Sequence, residues 1–101
     1  MHELSYQFTA PLWVYKGKGA WHFITLPKAA ADEIRFFKSH AKGFMPIAVV
    51  ASIGATTWKT SVFPDSKSDS FVLAIKKDVR KAEKLQADAM VEVKLRVPVH
   101  G

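Results

Sequence analysis

The chain has 101 residues, 49% hydrophobic and 24% charged, with 15 Lys and Arg against 9 Asp and Glu for a net charge of +6. One core and one domain, residues 1–101, fit that length, and the apolar content excludes a disordered chain. No cysteine is present, which excludes disulfides, thiolate metal sites and cysteine nucleophiles and suits a reducing, cytoplasmic setting.

Residues 4–15 alternate. Leu4, Tyr6, Phe8, Ala10, Leu12 and Val14 fall on one face, Ser5, Gln7, Thr9 and Trp13 on the other. That period of two predicts one long strand with one buried face. Pro11 cannot donate to a ladder, so it marks an edge or a bend. The opening "MHELSYQFTAPLW" has no basic start followed by a continuous apolar run, so no signal peptide is expected. "KGKG" (16–19) reads as a hairpin loop; it could form a backbone nest for phosphate, but the phosphate-loop spacing is absent. "AWHFITL" (20–26) is then a second strand.

Pro27 fits the first turn of a helix. Asp32 and Glu33 sit early in it and Lys38, His40 and Lys42 late, as the helix dipole prefers. Ala30, Ile34, Phe37 and Ala41 make its apolar stripe, Phe36 widens it, and Gly43 is the expected stop. Strands follow in "PIAVVASI" (46–53), "KTSVF" (59–63) and "SFVLAIK" (70–76), with "GATTW" and "PDSKSD" as turns. The most apolar run, "FMPIAVVASIGA" (44–55), is too short to span a membrane, and no membrane partner is expected. A short helix with Asp78 as N-cap buries Val79, Ala82 and Leu85. "QADA" turns the chain into a last strand, "MVEVKLRV" (90–97).

Two units share one plan. "FITLPKAAADEI" leads from strand into helix and on to "PIAVVASI". "VLAIKKDVRKAEKL" does the same and leads to "MVEVKLRV". The expected fold is mainly β: a six-stranded barrel capped by two α-helices, with an internal pseudo-repeat.

The blocks "AWHFITLP", "PIAVVASIGATTWKTSVFP", "FVLAIKKDVRKAEKL" and "ADAMVEVKL" resemble the DUF1905 family of bacterial small-barrel domains over almost the whole chain. The resemblance implies a double-split β-barrel capped by helices. That architecture is shared with the swapped-hairpin DNA-binding domains of transition-state regulators and addiction antitoxins. Those pair two short chains, whereas here both halves lie on one. The family pattern carries Gly-Asp before the last strand where this chain has Ala87-Asp88, so Ala87 must avoid a positive φ or tolerate strain. A glycine common ahead of the sixth strand is replaced by Ser70-Phe71. The family has no assigned activity, so the resemblance supplies a fold and no function.

Candidate sites are therefore weighed by chemistry. In "WKTSVFP", Trp58 could wall a pocket with Thr60 and Ser61 bonding a ligand, or Trp58 could fill a barrel end while the hydroxyls serve the turn. Lys76 and Arg80 add cations, and the resembling motif also carries an arginine at position 80. Lys77, Arg80, Lys81 and Lys84 could instead neutralise nucleic-acid phosphates from a basic helix whose N-terminal half could also hold an anion, or form a solvated helix face. Trp13, Tyr15 and Phe63 interleaved with Lys16, Lys18 and Lys59 would suit single strands, and equally the polar side of a barrel wall.

Catalytic patterns are thin. His2, His22, His40 and His100 lack metal-ligand spacing, and His22 reads as a packed side chain. Asp32 and Glu33, and Ser39 and His40, are helix neighbours that point apart. The expected function is a non-enzymatic module binding a small ligand through Trp58, Thr60, Ser61, Lys76 and Arg80, with an anionic group on Arg80. Nucleic-acid binding through the basic helix is the alternative. The third reading is an enzyme joining His22 or Asp88 to Ser61. No cofactor or metal is expected. The chain is read as a monomer or, through exposed edge strands, a homodimer.

Overall fold

The computed structural model describes residues 2–17, 19–38 and 45–99. Nine elements follow in chain order: β1 (His2–Pro11), β2 (Trp13–Tyr15), β3 (Trp21–Thr25), α1 (Lys28–Phe37), β4 (Ile47–Ile53), β5 (Thr56–Asp65), β6 (Ser70–Ala74), α2 (Lys77–Ala82) and β7 (Met90–Val99). The strands form one curled half-barrel sheet in the order β1-β7-β4-β5-β6-β3-β2, and every pairing is antiparallel.

The sheet has seven strands rather than six, because the long strand expected over residues 4–15 divides at Leu12. Pro11 has no N–H to offer a ladder. Leu12 then gives both its backbone groups to the turn before β7, donating to Ala89 O at 2.9 Å and accepting from Asp88 N at 2.6 Å. Before the break the chain pairs with β7, after it with β3. The alternation itself holds: Leu4, Tyr6, Phe8 and Ala10 pack against the core, and Leu12 is fully buried.

β3 pairs with β6, and β4 with β7. The β5 strand pairs with β4 through its first seven residues and with β6 from Val62 onward. Thr56 to Ile53 closes a two-residue hairpin loop. Its Gly54 sits at φ +58°, as the primed turns of tight hairpins require. The second expected turn shortens in the same way, since β5 begins at Thr56 and runs to Asp65.

Both helices start and bury differently from expectation. Pro27 precedes α1 instead of entering it, and its carbonyl accepts the first helical bond from Ala31 N at 3.0 Å. Asp32 and Glu33 fall in mid-helix, and the buried stripe is Ala30, Ala31 and Ile34. Phe37 and Phe36 lie at 44% and 73% exposure, because those positions turn past the sheet-facing arc at 100° per residue. For α2 the N-cap is Lys76, not Asp78, with no side-chain cap bond. Val79 is buried and Leu85 packs on the core, but Ala82 faces solvent. Ser39, His40, Ala41, Lys42 and Gly43, expected to end α1, lie outside the described residues, as do Lys18 of the first loop and His100.

The core is one cluster that draws on every helix and on β3 through β7, with Ile24, Ile34, Leu73, Val93, Leu95 and Val97 fully buried. Burying a side chain of that size is worth about 1.5–3 kcal/mol. Two polar ties lock α1 to the sheet. Tyr6 Oη donates to Glu33 Oε1 at 2.6 Å, and Ser70, the one buried polar side chain among the described residues, donates to Leu26 O, just before the helix, at 2.8 Å. No helix among the described residues is long and apolar enough to cross a membrane.

Candidate functional site

β3 and β6 run antiparallel, and the chain leaves β6 directly into α2. Ile75 N–H donates to His22 O at 2.9 Å, so the ladder continues one pair past β6. The first turn of α2 therefore rises beside the start of β3. A cleft of about 220 Å³ opens there, bounded by Gly19, His22, Ala74, Lys76, Lys77 and Arg80.

Arg80 is the half-buried cation in this cleft. Its Nε donates to Ile75 O at 3.1 Å, and its Nη1 meets His22 Nε2 at 3.4 Å. His22 Nδ1 lies 3.0 Å from Ala20 O. A carbonyl oxygen can only accept, so Nδ1 carries the proton and Nε2 is left to accept from the guanidinium. Both partners of Arg80 are thus neutral. The ion pairs among the described residues join Lys28 and Arg35 to Asp32 and Asp69, and none involves Arg80. No protein acceptor among the described residues takes the Nη2 hydrogens of Arg80.

Lys76 and Lys77 are exposed at the cleft rim, and Lys81 and Lys84 are exposed farther along and beyond α2. Trp58 and Thr60 point inward with Val62, and Trp58 packs on the core. Ser61 lies on the opposite face of β5, where it pairs with Ala48. None of Trp58, Thr60 and Ser61 lines the cleft. The structure therefore brings Lys76, Lys77 and Arg80 together and sets the β5 residues apart from them. Neither Ser61 nor Asp88 lines the cleft that holds His22. A larger hollow, about 370 Å³, is lined by Ser5, Gln7, Ser52, Lys94 and Arg96. It holds no buried cation. Among the described residues no group of three His, Asp or Glu side chains could hold a metal ion.

Sequence reasoning set His22 aside as a packed histidine and missed that its free nitrogen serves Arg80. The signal would have been the pairing of β3 with β6, which makes His22 and Ile75 ladder partners. Nothing local in "AWHF" announces it.

The sequence model of the family described as "Domain of unknown function (DUF1905)" matches residues 8–95, so the chain belongs to that family. No curated protein matches it.

Proposed function

We propose that this DUF1905 domain is a binding module for a small anionic ligand, taken at the Arg80 cleft. The observation behind this is the guanidinium itself: half-buried, oriented by two neutral acceptors, and without a carboxylate among the described residues. A planar fork fixed in that way offers its remaining hydrogens to a carboxylate or phosphate in a charge-assisted bond, roughly twice as strong as a neutral one. Lys76 and Lys77 at the rim draw the anion in. A binding role suits the site better than catalysis, since the His22 ring is committed on both nitrogens and no Ser or Thr among the described residues lines the cleft.

Calorimetric titration with pyrophosphate, citrate and AMP tests the reading. At least one of the three is expected to bind saturably and more weakly as salt rises. Arg80→Gln should abolish that binding, and Arg80→Lys should weaken it about tenfold or more by losing the fork while keeping the charge. Binding that is the same in Arg80→Gln as in the wild type, or no binding at all, sinks the reading.

We further read the curled sheet as a double-split barrel with an internal pseudo-repeat. In its support, β3–α1–β4 and β6–α2–β7 have one element order, and their strands pair like with like, β3 on β6 and β4 on β7. The stretch β1–β2 bridges β7 and β3 as β5 bridges β4 and β6. A reducing, cytoplasmic setting in a bacterium fits the absence of cysteine and the family resemblance.

A further inference from the structure

The ribbon of β2 and β3 carries four aromatic rings on one face. Its register sets Tyr15 against Trp21 and Trp13 against Phe23. These alternate with Val14, His22 and Ile24, and Ile24 is fully buried, so the four rings occupy the outer face. Trp13, Phe23 and Trp21 form a braced layer, with Tyr15 at its edge. Trp21 stacks on Phe23 at 6.1 Å and 10°, Trp13 tilts on Phe23 at 5.1 Å, and Trp13 Nε1 donates to Thr25 Oγ1 at 2.9 Å. Tyr15 and Trp21 nonetheless remain 50% and 54% exposed.

Cations border this layer, and its own strands carry no carboxylate. The β3–β6 ladder pairs Phe23 with Ala74, and the Ile75–His22 bond carries it on, so Lys76 comes level with Trp21. Ala74 between them presents only a methyl group. Lys77 and Arg80 follow at the cleft beside it. The strands β2, β3, β4 and β6 contain no Asp or Glu.

Exposed ring faces next to positive charge match one chemistry above others: unstacked bases joined by phosphates. A duplex hides its base faces and could use only the cations. A lone small anion would leave Tyr15 and Trp21 with nothing to do. We infer that the outer face of β2 and β3, with the cleft where β6 runs into α2, binds single-stranded nucleic acid, with bases on Trp21 and Tyr15 and phosphates on Lys76, Lys77 and Arg80. The inference deepens the anion reading above and rests on it, since the anion taken at Arg80 becomes a backbone phosphate.

The test is fluorescence anisotropy with a labelled single strand of about 12 nucleotides, within the range such surfaces cover. Its duplex is measured in parallel, and AMP serves as competitor. The single strand is expected to bind saturably, to weaken between about 50 and 200 mM salt, and to bind at least about tenfold more tightly than duplex or AMP. Trp21→Ala and Tyr15→Ala should each weaken it about tenfold, Trp21→Phe less, with circular dichroism and melting temperature kept near wild type. Equal affinity for duplex, equal affinity for AMP, or indifference to Trp21→Ala overturns the inference. Small-anion binding that needs Arg80, with no strand binding, overturns it while leaving the anion reading intact. Strand binding that needs Trp21 but is unchanged in Arg80→Gln overturns the shared phosphate role of Arg80 instead.

Discussion

Lys84 holds φ +54° just past α2, with Lys84 N donating to Lys81 O at 3.3 Å and Leu85 N to Arg80 O at 2.9 Å. That six-to-one bond, with Leu85 packed on the core behind it, is the Schellman way of ending a helix, and the left-handed position in it favours glycine. A β-carbon there costs about 1 kcal/mol, part of which a glycine gives back as unfolded-chain entropy. Lys84→Gly should therefore raise stability by about 0.5 kcal/mol in urea denaturation. Gly54 is the opposite case. At φ +58° an added Cβ is strained, and it would also collide with the Glu83 carboxylate, which accepts from Thr56 Oγ1 at 2.6 Å. Gly54→Ala should lose about 1–3 kcal/mol in the same assay. Position 87 shows what a single residue lets one read. Its missing glycine raised the prospect of strain, yet the positive φ falls on Asp88, at 70°, and aspartate tolerates that region better than most residues. Arg80 and Lys76 stood out in the sequence because charge is visible there. His22 did not, because its role depends on Arg80, 58 residues away in the chain.

At the scale of elements, α1 is held less by its own propensity than by what it meets. Lys28, Asp32 and Arg35 form a cluster with Asp69 on the turn between β5 and β6, with Arg35–Asp32 at 3.0 Å and Arg35–Asp69 at 3.3 Å. The hydrogen bond from Lys28 lowers the Asp69 carboxyl below its ordinary value and raises the Lys28 ammonium in return. All of these groups are solvent-exposed, so the cluster orients the helix more than it stabilises it. Tyr6 matters more. Burial first, and then the bond to the Glu33 carboxylate, push its phenol well above the ordinary range. Below the ordinary phenol value of about 10, folded and unfolded chains both keep the proton and the stabilisation is complete. Above it the unfolded chain releases the proton while the folded chain holds it, so stability falls as pH rises. The urea midpoint should drop above about pH 10 and drop less steeply in Tyr6→Phe, with the raised Lys28 leaving a residual slope. At neutral pH Tyr6→Phe should lose about 1 kcal/mol. Strands were readable because period two survives wherever one face is buried. The stripe of α1 was readable at Ala30 and Ile34 but not at Phe37, because its periodicity cannot say where the arc that the sheet covers ends, nor that Asp32 and Glu33 are engaged by Asp69's partners and by Tyr6.

The whole molecule follows from one break. At Leu12 the first strand leaves β7 for β3, which joins the two ends of the sheet order through consecutive residues. The sequence marked Pro11 as an edge or bend but could not say that the chain changes partner there, since no local pattern encodes which strand lies opposite. The result is a single apolar interior among the described residues. β7 lies between β1 and β4, and its fully buried Leu95 sits opposite Tyr6 on one side and Ala51 on the other. Truncating it opens a cavity bordered by three strands that are fixed by their ladders and cannot collapse into it. Leu95→Ala should cost about 2–5 kcal/mol, a large share of the roughly 5–15 kcal/mol that holds a domain of this kind together. Because the two helix-bearing units, β3–α1–β4 and β6–α2–β7, both feed that one interior, neither should melt first. Tryptophan fluorescence and far-ultraviolet circular dichroism should therefore give coincident unfolding curves in the wild type, and Leu95→Ala should move both by the same amount. If the variant separated the two curves, the two units would be folding independently, and the single-core account of this half-barrel sheet would be wrong.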